Sequence, residues 1–487
     1  MAEGVLAVGF PGSELEATTR AEFALRGFGG YVLFARNLPS LERARSLTDA
    51  LRALRPDDPT PLIAIDQEGG RVARLREGLA PMPSMMAVGA ADDLDLARKL
   101  GEQMAHDLRR MGMNLDFAPV LDLAIDHAST VIGTRSFGDN PERVADLAGA
   151  FASGMGRRGV VPTFKHFPGH GSTAVDSHVA LPTISLPTAV LHLRDLAPFR
   201  DLLPHARAAM VAHVVVESVD RENPATLSEA VMKTLLRESC SFNGVAFTDD
   251  LEMGALDRFG TIPQRAAAAI RAGADCALIC ERLGDALPAA REIAALISRG
   301  EMREWRLREA GMRMRMLRAT LSAPIPLDAP GPFPEVGVTI AARAVARVRG
   351  NPRVRANESI LVRFGVAGDL GSAALGAIDA PALHSGDPTS VDRVLAALES
   401  SGRRPVLLSY RTHLDAAARN AIRLIVERYP ESILVSTMEP FDIEAAPFVE
   451  HAVCCFGDDA LHLHAGGAAL FAGAPTNGKV PVALTRG

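Results

Sequence analysis

The strongest constraint on how this chain folds is a rhythm. Eight short runs rich in Val, Ile, Leu and Phe alternate with longer Ala/Leu/Arg stretches of helical pattern. The runs are VLAVGF, GGYVLF, PLIAID, MNLDFAPV, VPTFKHF, AAMVAHVVV, GVAFTDD and CALIC. Each is apolar nearly throughout, as a strand covered on both faces must be, and the stretches between them are long enough for crossover helices. Eight such units predict a (β/α)8 barrel. A doubly wound open sheet also gathers polar groups at strand ends, but it rarely needs eight consecutive units. The barrel reading puts chemistry at the C-terminal ends of the strands, and the polar residues cluster there. Asp66 ends the third run, Lys165 and His166 the fifth; His213 lies in the sixth, and Asp249 and Asp250 close the seventh. Two adjacent carboxylates on one strand point in opposite directions. One is expected to enter the barrel mouth, the other to cap the following helix near Leu251 to Ala255 or to bond nearby backbone.

From Leu321 the text becomes LSAPIPLDAPGPFPEV, whose prolines cannot continue a helix. Beyond it come ESILVRFG, RPVLLSYR, ESILVSTM and HAVCCFG with the helical stretch AAARNAIRLIVERY, the pattern of a second, smaller α/β unit with a mainly parallel sheet. The expected organisation is a catalytic barrel over 1–320, a Pro-rich linker over 321–335 and a C-terminal α/β sandwich domain over 336–487. At 487 residues the chain is too long for one ordinary core.

A formal charge of -6 gives no footprint for nucleic acid. The five cysteines are odd in number and lack a CxxC pair, which fits a reducing compartment. No stretch is apolar enough to span a bilayer. MAEGVLAVGFPG lacks the basic and apolar segments of a signal peptide, so the expected location is cytoplasmic.

The segment FKHFPGHGSTAVDSH holds three histidines, an aspartate and a lysine just after a buried strand. Proline and glycine forbid a helix through Phe167 to Gly171, so His166 and His170 are not a metal-binding pair on one helical face, and no metal site is expected. Asp176 and His178 stand two residues apart, which lets a carboxylate orient and charge an imidazole for general acid/base work. Taken alone, that pair fits an aspartate turn beside an exposed histidine better.

In chain order, IDQEGGRVARL, NLDFAPVLDL, VIGTRSFGDNP, KHFPGHG with DSH, AHVVV ending in PATLS, and FTDDLEM closely resemble the β-N-acetylhexosaminidases of glycoside hydrolase family 3. The C-terminal LFAGAPTNGKVPVAL resembles, less specifically, the close of that family's second domain. The resemblance implies that Asp249 is the nucleophile of a retaining glycosidase and that Asp176 with His178 forms the acid/base dyad. It implies that Asp66, Arg74, Arg135, Lys165 and His166 bind the N-acetylated sugar, with Met253, His213 and Asn37 as further pocket or shell residues. Ser172 departs from the family's usual Asp after GHG, and His170 is left without a role.

The reaction so implied removes terminal β-linked N-acetylglucosamine by double displacement through a covalent glycosyl-aspartate, on peptidoglycan or chitin-type fragments. Muropeptide recycling leads among the natural roles. No cofactor is expected, the partner is a small carbohydrate, and the chain is a monomer or homodimer. A histidine acid/base, neutral at the second step, repels an anionic acceptor less than a carboxylate would, so a phosphorylase is the runner-up. A β-glucosidase is the nearest competitor within the fold. From other classes come a Schiff-base barrel using Lys165 and a non-catalytic glycan-binding barrel.

Overall fold

The computed structural model describes residues 1–58, 60–173, 180–366, 368, 370, 377–383 and 388–484. Among these, a nine-stranded parallel sheet forms from the eight predicted runs. Its strands are Leu6–Val8, Gly30–Leu33, Leu62–Ile65, Leu115–Asp116, Val161–Pro162, Phe164–Phe167, Ala208–Val211, Val245–Asp250 and Cys276–Ile279. The count exceeds eight because the fifth run breaks at Thr163. Its first half pairs with Leu115–Asp116 and its second half with Ala208–Val211, so the two ends of the sheet belong to one run. The ring closes there: Val120 bridges Lys165, and the Leu121 amide donates to the Lys165 carbonyl at 2.6 Å. The chain is thus a (β/α)8 barrel followed by a smaller α/β domain.

Side-chain alternation along the strands sorts the core into two layers. Ala7, Val32, Leu62, Ala64, Leu115, Phe117, Met210 and Phe247 fill the barrel interior, where Phe117 and Phe247 meet edge to face at 5.7 Å. Their neighbours Leu6, Val8, Ile63, Ile65 and Val211 face outward into the larger cluster under the helices. Each parallel strand is therefore apolar on both sides, which is why the runs stand out so clearly.

The sixth run also splits. Ala208–Val211 belongs to the barrel, whereas Val215–Val216 leaves it for a three-stranded sheet with Thr183–Ile184 and Asp220–Pro224. His213 sits in the break. Its Nε2–H donates to the Asp250 carbonyl at 2.9 Å, tying the ends of two neighbouring strands together.

After the barrel's last helix, Glu304–Arg318, residues 319–335 form no helix or strand. They are laced along the helix Leu94–Met111, whose Arg109, Arg110 and His106 side chains bond the carbonyls of Ala323, Leu327 and Ala329. The second sheet then has, among the described residues, six strands in the order Ala346–Arg349, His451–Cys454, Ile433–Ser436, Arg404–Ser409, Ser359–Phe364 and Ile378–Asp379. All its pairings are parallel except that of Ala346–Arg349, an edge strand that sequence reading missed.

Candidate active site

The barrel mouth is organised around a tight turn after the third strand. Gly69 and Gly70 have φ of 95° and 51°, left-handed values that disfavour any side chain, and a Cβ on Gly70 would sit 2.8 Å from Ser84. The turn folds the motif back on itself. The Gln67 Oε1 accepts the Arg74 amide at 2.7 Å, and its Nε2 donates to the Leu75 carbonyl at 2.7 Å, which fixes where Arg74 begins.

Asp66 and Glu68 project from this turn toward two cations. Asp66 Oδ1 accepts from Lys165 Nζ at 2.7 Å and Oδ2 from Arg74 Nη2 at 3.2 Å. Glu68 is gripped by Arg135 through two parallel bonds, Nε to Oε2 at 2.8 Å and Nη2 to Oε1 at 2.7 Å, and Lys165 Nζ lies 2.6 Å from Oε1. Such bidentate pairing fixes direction as well as charge. Burial alone would raise the Glu68 carboxyl, but Arg135 and Lys165 outweigh it and hold the group far below the usual carboxylate range. By the same balance Lys165, 1% exposed, titrates above its ordinary value despite burial, because Asp66 and Glu68 face it. A lysine held protonated between two carboxylates is a poor imine-forming nucleophile, which argues against the Schiff-base alternative.

His166 is fixed from the other side. Its Nδ1 lies 2.6 Å from Asp122 Oδ2, its amide donates to the same oxygen at 3.2 Å, and the His170 amide donates to Asp122 Oδ1 at 2.6 Å. The ring's Nε2 faces Arg135 Nη2 at 3.3 Å. His170 itself is turned toward Thr173 Oγ1, 2.6 Å from its Nδ1, and burial lowers its imidazole.

Asp249 lies at the end of the strand Val245–Asp250, with its Oδ1 accepting the Asp250 amide at 2.8 Å. Burial opposes its ionisation, yet the charges of His166, His213 and Lys165 and that amide bond prevail, so the carboxyl sits below its ordinary value. Asp250 behaves in the opposite way. Burial, then the nearby Glu252, push it up to about 7. Its Oδ1 accepts the Glu252 amide at 3.2 Å, so of the two expected roles it takes the backbone-bonding one; the next turn begins only at Gly254. Two adjacent aspartates are thereby pushed apart in acidity, the ionised one beside the cations.

The structure therefore brings Asp66, Arg74, Arg135, Lys165 and His166 into one cluster, within the electrostatic reach of Asp249. His213 braces the Asp249–Asp250 strand end, and Met253 is buried just beyond it. Asn37 is committed to backbone: it accepts from the Phe34 amide and donates to the Phe10 and Gly12 carbonyls. Asp176 and His178 lie outside the described residues. Ser172 Oγ donates to Asp195 and accepts from Arg194 at 2.7 Å. Sequence reading missed Glu68 and Asp122, although both stand inside the motifs IDQEGGRVARL and NLDFAPVLDL. It also missed Asp116, whose carboxyl, at the end of the fourth strand, burial pushes well above the ordinary range. A carboxylate inside an otherwise apolar strand-end motif was the available signal. Among the described residues no group of three or more His, Cys, Asp or Glu could hold a metal ion, and no helix is long and apolar enough to cross a membrane.

A closed parallel barrel whose mouth sets an acidic aspartate near clamped cations has the fold and the charge arrangement that a barrel-type glycoside hydrolase uses. A family model described as the glycosyl hydrolase family 3 N-terminal domain matches residues 4–317, and the chain belongs to that family. It is 42% identical over 280 residues to a β-hexosaminidase of Pseudomonas aeruginosa, a match covering 57% of this chain and 82% of that protein. A β-hexosaminidase of Alkalilimnicola ehrlichii is 42% identical over 296 residues, covering 59% and 83%. A solved family 3 β-N-acetylglucosaminidase from Paenibacillus sp. str. FPU-7 superposes with a TM-score of 0.90 at 28% identity, covering 100% of this chain and 98% of that one. The likeness to the Paenibacillus enzyme includes the second domain.

Proposed function

We propose that this protein is a retaining β-N-acetylhexosaminidase that removes terminal β-linked N-acetylglucosamine. The observation that carries the reading is the pair of opposed aspartates: Asp249 kept ionised beside the Asp66/Glu68/Arg135/Lys165 cluster, Asp250 turned to backbone. An ionised carboxylate at the anomeric carbon stabilises the oxocarbenium-like transition state and then traps it as a glycosyl ester. Asp249 takes that part. Arg74, Arg135, Lys165 and His166 present donors held in place by Asp66, Glu68 and Asp122, and such preformed donors grip sugar hydroxyls and the N-acetyl group without reorganising. His178, paired with Asp176, is assigned the proton transfers, first to the leaving oxygen and then from the incoming water. That assignment rests on the family motif. The substrate reading is supported by the β-hexosaminidase and β-N-acetylglucosaminidase relatives; peptidoglycan fragments are proposed as the natural substrate on the family resemblance alone.

The test is product analysis with aryl β-N-acetylglucosaminide and aryl β-glucoside, with and without inorganic phosphate. The N-acetylated substrate is expected to turn over at least about tenfold faster, because a site built to bond a polar group rejects the analogue lacking it. Free N-acetylglucosamine is the expected product. Equal rates would sink the substrate assignment, and a sugar 1-phosphate would replace water by phosphate. A 2-fluoro sugar should label Asp249; labelling of Asp250 instead would overturn the nucleophile.

A further inference from the structure

We propose that Glu439, in the second domain, is a positioning residue for the substrate-binding Arg135 of the barrel. The inference rests on the β-N-acetylhexosaminidase reading above. Arg135 ends a loop, residues 126–135, whose regular structure is one short 3-10 turn, Gly133–Arg135. A long side chain that must hold Glu68 bidentately and face His166 needs a fixed backbone beneath it. That backbone is held from both sides: Arg71 of the barrel donates to the Thr130, Val131 and Ile132 carbonyls, and the second domain takes the Thr134 amide beside Arg135 itself. Glu439, 2% exposed, accepts the Thr134 amide at 3.2 Å through Oε1, and Arg411 clamps the same carboxylate at 2.7 Å to Oε1 and 3.2 Å to Oε2.

Two further contacts make the clasp continuous. Arg411 Nη1 reaches the Thr130 carbonyl at 3.4 Å, and His413, itself braced by Asp442 at 2.7 Å, lies with Nε2 3.1 Å from the His127 carbonyl. Gly133 shows how close the approach is: with φ of 44°, a Cβ there would collide with the Glu439 carboxylate. Glu439 titrates below its ordinary value because Arg411 outweighs the effect of burial, so the acceptor is a full carboxylate. Here the second domain reaches the loop that carries Arg135 through the Glu439 carboxylate, with Arg411 and His413 beside it.

The experiment compares full-length wild type, Glu439→Ala, Glu439→Gln, Gly133→Ala and the second-domain core variant Val362→Ala, on aryl β-N-acetylglucosaminide, with melting curves for each. Loss of a ground-state binding group raises KM more than it lowers kcat. Glu439→Ala is expected to raise KM about tenfold with kcat within about threefold. Glu439→Gln, which keeps an oxygen for the Thr134 amide, should recover most of that loss. Gly133→Ala disturbs the same contact from the barrel side and should raise KM similarly even if Glu439→Ala fails to fold. Val362→Ala should lower Tm and leave KM unchanged. A KM within about twofold of wild type in both Glu439→Ala and Gly133→Ala overturns the proposal. So does an equal rise in Val362→Ala, or no recovery in Glu439→Gln. A wild-type chain with no turnover would instead refute the enzymatic reading itself.

Discussion

Replacing Asp250 by Asn should stabilise the protein, and do so only above mildly acidic pH. The Asp250 carboxyl is pushed up to about 7 by burial and by Glu252, against about 3.9 for an aspartate in an unfolded chain. Between those values the unfolded chain has lost the proton while the folded chain keeps it, so stability falls as pH rises through the window. Roughly three pKa units at about 1.4 kcal/mol each bound the penalty near 4 kcal/mol above pH 7, and partial solvent access trims it to about 2–4 kcal/mol. Asn removes the titration and retains an oxygen for the Glu252 amide. Thermal melts of wild type and Asp250→Asn at pH 4.5 and pH 8 measure the difference. The variant should melt close to wild type at pH 4.5 and several degrees higher at pH 8. A gap of the same size at both pH values would show that Asp250 is ionised throughout, and the account of how the two aspartates divide their roles would fail.

Glu68→Gln leaves Arg135 and Lys165 buried with only Asp66 to neutralise them, so about 3–5 kcal/mol of stability should be lost at pH 7, read by denaturant unfolding. The depressed Glu68 carboxyl contributes stability that is present above the ordinary glutamate pKa and lost as pH falls below it, so the gap to the Gln variant should narrow in acid. Arg135→Lys keeps the charge but cannot form two parallel bonds, and kcat/KM is expected to fall by about 10- to 100-fold in steady-state assays. For His178→Ala the expected loss of turnover is about 10²- to 10⁴-fold with poor leaving groups and smaller with a dinitrophenyl glycoside; equal losses across leaving groups would make His178 structural.

The barrel was legible because every strand is apolar on both faces, a property that survives in the sequence with no three-dimensional information. The breaks within strands were not. The one local hint, Pro162 with its missing N–H just before Thr163, went unread; nothing local marks His213, and both breaks are set by partners far along the chain, Ala118 and Asp250. Likewise Asp66 and Lys165 could be singled out as polar ends of apolar runs, whereas Glu68 and Asp122 lie just past their strands, in loops whose path depends on the Gly69–Gly70 turn and on the His170 amide. The Arg347-containing edge strand was hidden by its arginines, Arg347 exposed and Arg349 turned to the Ala446, Val449 and Ile443 carbonyls, which spoil the apolar signature of an inner strand.

The segment 319–335 is bonded through its own carbonyls to the C-terminal half of the barrel helix Leu94–Met111, and this bears on how the two domains move. A junction fastened at Ala323, Leu327 and Ala329 is a seam rather than a hinge. The two domains are therefore expected to move as one body, and limited proteolysis should find few cuts in a stretch whose proline content alone suggests an open tether.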